Sequence, residues 1–262
     1  MEIRADFHAH IYALHDHVVA LRAAIDTLCQ PRGTPSLGVV CLTERSDSTF
    51  FSDLGRSRSL PDGVSVHAGA EPGVRLLATR EGAQLCIIQG YQIATAERLE
   101  ILGLGVCVRP ADGITARAAI DQVRAQGGIA VLPWSPGKWL GKRSSVVRNL
   151  IIQHNKDELC IGATPFLPQR CSAGSLVTMA RERGLTFLPG TDPFPLRGEE
   201  RRLGSFGAAW TGEFDPNMPL SSLRRTVFSQ SWTPNWFGQR FGMLNSGWRL
   251  LRLKLSKCRE TT

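Results

Sequence analysis

Asp6-Phe7-His8-Ala9-His10 places two imidazoles two residues apart. On an extended chain positions i and i+2 share a face, so both ring nitrogens can reach one ion. An isolated H-x-H pair fits two hydrogen-bonded histidines equally well, and its company decides the matter. Two later apolar runs also end on carboxylates: Val66-His67-Ala68-Gly69-Ala70-Glu71, and Leu185-Thr186-Phe187-Leu188-Pro189-Gly190-Thr191-Asp192. Other chemistries find less support. Gly137-Lys138-Trp139-Leu140-Gly141-Lys142-Arg143 has three residues between its glycines instead of four, and Arg where a phosphate loop needs Ser or Thr. No Ser or Cys sits in a nucleophile-elbow setting. The seven cysteines are scattered, without a C-x-x-C pair, and most lie in apolar runs, as reduced core thiols do.

The elements that must position these groups alternate in type. Apolar runs over Ile3–His8, Leu37–Thr43, Val64–Glu71, Gly128–Pro133, Leu159–Ala163 and Leu185–Pro189 predict strands. Helical patterns cover His17–Cys29, Thr95–Leu102, Thr115–Gln126, Ser144–Ile152 and Gly174–Arg183, several of them stopping at a glycine. Strands alternating with helices predict a mainly parallel α/β sheet. Val74–Thr79 and Gln84–Ile88, around Arg80-Glu81-Gly82-Ala83, read as an inserted hairpin.

At 262 residues, 42% hydrophobic and 21% charged, the chain has apolar material for one sizeable core. The net charge of +8 is uneven: from Ser221 onward eight Lys or Arg face one acid. Texture changes after Trp210, where prolines and a Trp-rich stretch begin, so a boundary is expected there: residues 1–210 as the main domain, 211–262 as a basic extension. Within the extension Leu244, Trp248, Leu251 and Leu255 recur at helical spacing opposite Arg249, Arg252, Ser256 and Arg259. Such a basic amphipathic helix can pack on the domain's flank, meet an anionic membrane surface, or meet an anionic polymer; the flank is the ordinary fate. No apolar run has the length of a signal peptide or of a membrane span, and a cytoplasmic protein is expected.

The order of four segments resembles the polymerase and histidinol phosphatase (PHP) superfamily of metal-dependent phosphoesterases. Its D-x-H-x-H start, G-x-E after a middle strand, G-G-hydrophobic-A-H-P segment and G-S-D-x-H end compare with Asp6–His10, Gly69–Glu71, Gly127–Pro133 and Gly190–Phe194, over about residues 3 to 207. The resemblance implies a distorted (β/α)7 TIM-type barrel with its site at the C-terminal strand ends. It also implies one ion site from His8, His10, Glu71 and Asp192. Other family histidines are replaced: Arg45 stands in Thr43-Glu44-Arg45, Trp134-Ser135 follow Pro133, and Phe194 follows Asp192-Pro193. His15 or His17 could stand for a further family histidine, and spacing does not choose between them.

Two imidazoles and two carboxylates suffice for one Zn²⁺, Mn²⁺ or Fe²⁺. The expectation is therefore a metal-dependent hydrolase with Asp192 and Arg45 as catalytic residues, acting on a small-molecule or phosphoester substrate. Arg45, Lys138 and Arg143 are cations that could hold phosphoryl oxygens in place of lost ions, although Arg45 could as well pair with Glu44 or Asp47. The three replaced histidine positions support a different class of reading, a catalytically inactive barrel serving as a binding or scaffold protein. A third, hydrolysis of an amide or sugar ester as in the amidohydrolase superfamily, lacks that family's lysine and further histidines here.

Overall fold

A computed structural model describes residues 1–30, 33–54, 60–135, 137–167, 174–242, 247–249, 251–253 and 255. In chain order its elements are β1 (Glu2–Ala9), α1 (His17–Ala24, running into a π-helical turn at Ile25–Cys29), β2 (Leu37–Leu42), α2 (Phe50–Leu54), β3 (Val64–Ala68), β4 (Val74–Thr79) and β5 (Gln84–Ile88). There follow β6 (Gly90–Ala94), β7 (Glu100–Leu104), α3 (Ala116–Ala125), β8 (Ile129–Pro133), α4 (Arg143–Gln153), β9 (Cys160–Ala163), α5 (Ser175–Glu182), β10 (Phe187–Pro189), β11 (Gly207–Thr211), α6 (Pro219–Val227) and β12 (Asn235–Phe237).

The fold is mixed α/β, as the alternation predicts, but the strands form two sheets instead of a closed barrel. Their orders are β12-β11-β1-β2-β5-β4-β3 and β10-β9-β8-β7-β6. A strand has two edges, which explains the break. β1 spends Glu2–Ala5 on antiparallel β11 and β2 spends Leu37–Cys41 on parallel β5, so neither can run a full ladder to the second sheet. Beyond those stretches the backbones of the two sheets do bond to each other: the Glu44–Tyr91 bridge joins them on one side, and on the other the Asp192 N–H donates to the His8 carbonyl.

The hairpin β4–β5 is where the sequence predicts it. Thr95–Leu102 is not the expected helix. It contains the turn of a second hairpin and the start of β7, with Thr95 N–H bonded to the Leu99 carbonyl and Ala94 opposite Glu100. Helix-favouring Ala, Glu, Arg and Leu yield there to strand pairing that buries Leu99 and Ile101.

Three apolar clusters hold the layers together. One lies between β6–β9 and the buried faces of α3, α4 and α5. A second fills the interior with Phe7, Val39, Leu102, Val131 and Leu188, and is closed by Leu223 and Val227 of α6. The third packs α1 and α2 on β2. Residues after Thr211 therefore join the main body: α6 completes the interior and β12 extends the sheet beside β11.

The helical turn at 247–249, 251–253 and 255 reverses the expected orientation. Trp248, Leu251 and Leu255 are exposed, whereas Arg249 turns inward, ion-paired with Glu199 and lying over the Phe241 and Phe194 rings. Leu244, Ser256 and Arg259 lie outside the described residues. No helix among the described residues is long and apolar enough to cross a membrane.

Candidate metal centre

The β1–β2 register shifts between Asp6 and Ala9. Phe7 belongs to the interior cluster and Ala9 to the one under α1, so the alternation reverses at this bulge and hands the interior face to His8 and His10. Both imidazoles are buried, with their Nε2 atoms 3.1 Å apart. Asp192, just beyond β10, brings Oδ1 to 3.6 Å from each. Its φ of 48° lies in the left-handed region, which Asp tolerates better than most residues and which turns the carboxylate back toward β1. Gly190 permits that return, because a Cβ there would meet His8 N at 2.3 Å.

Asp6 ties the two strand ends together. Its Oδ1 accepts the His8 and Thr191 N–H groups, at 3.1 and 2.9 Å, and its Oδ2 accepts that of Gly204 at 3.0 Å. Burial pushes Asp6 and Asp192 up to about 6, the latter held down partly by His10. Burial pushes His8 and His10 the other way, to about 4 and about 3. At neutral pH the group is thus two neutral imidazoles and one carboxylate, each presenting a lone pair.

Such a set suits a cation. Ligand atoms around a tetrahedral ion bound at about 2.0–2.1 Å stand roughly 3.3–3.4 Å apart, and the three separations here are 3.1, 3.6 and 3.6 Å. Among the described residues these three form the group of candidate ligands, with their donor atoms within 4.8 Å of one another.

Glu71 is not part of it. Its carboxylate accepts the Leu220 and Ser221 N–H groups at 2.6 and 3.0 Å and the Ser221 hydroxyl, sitting at the N-terminus of α6. A carboxylate there satisfies helix donors that have no partner within the helix. Gln92 of β6 instead lies toward the ligands, close enough to act on both His8 and His10. The Gln92 Nε2 donates to Glu100 at 3.0 Å, and Glu100 is ion-paired with Lys138.

Arg45 stands on the other side of His10. It is ion-paired with Asp47 at 3.5 Å and stands close to Tyr12, whose ring stacks on His10. Burial drives the Tyr12 hydroxyl well above its ordinary pKa, so it stays protonated. Arg143 is spent on the carbonyls of Gly137 and Arg98 and braces the loop. His15 takes the Tyr12 N–H at Nδ1 and bonds the Phe194 carbonyl through Nε2, while His17 packs on Phe50; neither joins the group. Phe194 stacks on Phe166, filling with an aromatic ring the place compared with a family histidine.

Glu100 and Gln92 are the functional-site residues that the sequence reading missed. β7 runs antiparallel to both its neighbours, so its first residue arrives at the rim where parallel strands deliver their last. Recognising Gly90–Ala94 and Glu100–Leu104 as a hairpin would have pointed to both.

No protein-family model matches the sequence, and no curated protein matches it. Solved structures do resemble it. PsfC from Pseudomonas syringae aligns over 100% of this chain and 99% of its own, at 15% identity and a TM-score of 0.59. The lesion-specific endonuclease PfuEndoQ from Pyrococcus furiosus aligns over 87% of this chain and 56% of its own, at 10% identity and a TM-score of 0.52. At these identities the likeness is one of fold. A two-domain protein from Bacteroides vulgatus containing a predicted PHP-like metal-dependent phosphoesterase gives a TM-score of only 0.39, at 11% identity over 73% of this chain and 52% of its own, and bears no weight.

Proposed function

We propose that the chain is a divergent member of the PHP superfamily and a metal-dependent hydrolase of a phosphoester, with one Zn²⁺, Mn²⁺ or Fe²⁺ held by His8, His10 and Asp192. The observation that carries this reading is the convergence of two neutral imidazoles and a carboxylate at the spacing of an ion's ligands. The carboxylate expected from Glu71 is not beside them, being bonded to the start of α6. An ion there would supply a Lewis acid for a phosphoryl oxygen and lower the pKa of a water.

The chain's own residues do the rest. Asp6 and Gly190 hold the ligand-bearing backbones at fixed separation, and burial keeps both imidazoles unprotonated at neutral pH. Arg45, 42% exposed at its side chain, is placed to hold phosphoryl oxygens on the Tyr12 side. Element analysis of protein purified without chelators tests the reading: about one ion per chain is expected, lost in His8→Ala. Turnover of a generic phosphoester should depend on that ion and fall at least 10²-fold, as an order-of-magnitude estimate, in Asp192→Asn. In Arg45→Ala, KM should rise more than kcat falls. A chain without stoichiometric metal, or turnover indifferent to Asp192, would return the protein to the inactive-scaffold reading.

A further inference from the structure

Asp192 holds a left-handed backbone conformation, with φ at 48°. A residue other than glycine keeps such a conformation only where its surroundings fix it. On the N-terminal side Asp6 and the His8 carbonyl do so, through the N–H groups of Thr191 and of Asp192 itself. On the C-terminal side the fixed point is Phe194. Its carbonyl is bonded to His15 Nε2 at 3.0 Å, and its ring stacks on Phe166, beyond the end of β9, at 5.2 Å between centroids.

That stack is braced from the far end of the chain. Phe241 meets the Phe166 ring at a steep angle, 4.9 Å between centroids, and its N–H donates to the Pro165 carbonyl at 2.8 Å. The Arg249 guanidinium lies over Phe241 at 4.6 Å and over Phe194 at 5.6 Å, and is ion-paired with the buried Glu199. Arg202 pairs with the same carboxylate at 3.8 Å and lies 4.5 Å from the Phe241 centroid. A guanidinium held over aromatic faces by a buried carboxylate resists displacement, because moving it leaves that carboxylate short of a partner.

We infer that Phe241 and Arg249 are positioning residues for Asp192: the C-terminal segment they belong to supplies none of the three ligands, yet through Phe194 it sets the carboxylate against His8 and His10, so that metal affinity depends on it. The inference rests on the metal-binding reading above. His8 and His10 share one strand end, whereas Asp192 arrives on a loop, and loop packing decides where its carboxylate stands. Charge and placement act in opposite directions here, which makes the sign of the effect decisive. Removing a nearby cation favours a bound metal ion by Coulomb's law. Releasing the Phe194 turn disfavours it.

The Zn²⁺ affinity of the full chain, measured by competition with a chelating dye well below the melting temperature, tests this without any assay of turnover. Thermal melting of the metal-free protein is recorded for each variant. Altering groups that orient a metal ligand costs about 10–100-fold in affinity, so Arg249→Ala and Phe241→Leu should each raise Kd by about tenfold or more. Arg249→Lys, which keeps the ion pair but not the flat stacking, should lie between the wild type and Arg249→Ala. Trp248→Ala, exposed on the same turn, should bind as the wild type does. A Kd in Arg249→Ala and Phe241→Leu equal to or below that of the wild type overturns the inference and leaves the metal-binding reading standing, even if both variants melt earlier, since a merely structural brace lowers stability alone. If Arg249→Ala does not fold, Phe241→Leu and Arg249→Lys decide between the same outcomes. Wild-type protein that takes up no stoichiometric Zn²⁺ overturns both.

Discussion

The backbone N–H of Asp192 donates to the carbonyl of His8 at 2.8 Å. Two of the three candidate ligands are thus joined through the main chain, across the seam where the two sheets meet without a continuous ladder. The geometry of the centre is consequently a property of that seam, and disturbing the seam should disturb metal uptake even when no ligand is altered.

Gly190→Ala is the sharpest such disturbance. Its new Cβ would lie 2.3 Å from His8 N and 2.5 Å from His8 Cβ, and backbone cannot yield as a flexible side chain can. Overpacking of this kind costs about 1–3 kcal/mol. Chemical denaturation should show that loss, and metal content should fall with it. A variant as stable as the wild type and fully loaded would mean that the seam is pliable.

Asp6 makes stability depend on pH in a defined direction. Burial holds its folded pKa near 6, above the ordinary 3.8, so between about pH 4 and 6 the folded chain binds more protons than the unfolded one. The group's contribution is fully favourable below that window and diminishes as pH rises through it. Asp6→Asn, which cannot ionise, should remove this component. The stability difference between wild type and variant, measured by denaturation at several pH values, should shift toward the variant from pH 4 to pH 7. A flat difference would show that Asp6 does not titrate in that window.

Metal uptake should release protons from the carboxylate and not from the imidazoles. In the metal-free chain Asp192 is protonated below about 6, while His8 and His10 are neutral above about 4. Calorimetry in buffers of different ionisation enthalpy should therefore report about one proton released per ion at pH 5, from Asp192, whereas at pH 8 the ligands release none and any proton comes from the ion-bound water. Asp192→Asn should abolish the release; two or more protons at pH 5 would mean that the histidines are charged before the ion arrives.

Glu71→Ala separates a helix cap from a metal ligand. Removing the acceptor of the Leu220 and Ser221 N–H groups should destabilise the fold by about 1–2 kcal/mol. Metal stoichiometry should be unchanged. Loss of the ion at unchanged stability would restore Glu71 to the centre.

Much of this was legible in the residues. The H-x-H pair, the glycine-ended helices and the carboxylate after Leu188 are local signals, set by side-chain period and turn chemistry. Four of the five expected helices and the hairpin at Val74–Ile88 are found where their patterns put them. Glu71 misled because a strand ending on a carboxylate looks the same whether that carboxylate meets an ion or a helix terminus; its partner, 149 residues away, left no trace beside it. Thr95–Leu102 misled because local propensity there favours a helix, and only pairing with β6 and β8 reverses the outcome. Barrel closure depends on how two strands divide their edges among four neighbours, which no single segment records. Likewise, the apolar row of the C-terminal turn gave its spacing but not its direction: Glu199 and the Phe194 and Phe241 rings draw Arg249 inward, and Trp248 is left outside.

The reversed direction of β7 has a consequence for divergence. Where every strand enters a site by its last residue, changing the chemistry means changing a strand or the long crossover that follows it. Here one acid is delivered by the far side of a short hairpin turn, between Ala94 and Glu100. Turns tolerate insertion and deletion far better than paired strands do. Descendants of this chain could therefore withdraw, replace or lengthen the reach of that acid by a change of one or two residues in the turn, leaving His8, His10 and Asp192 where they are.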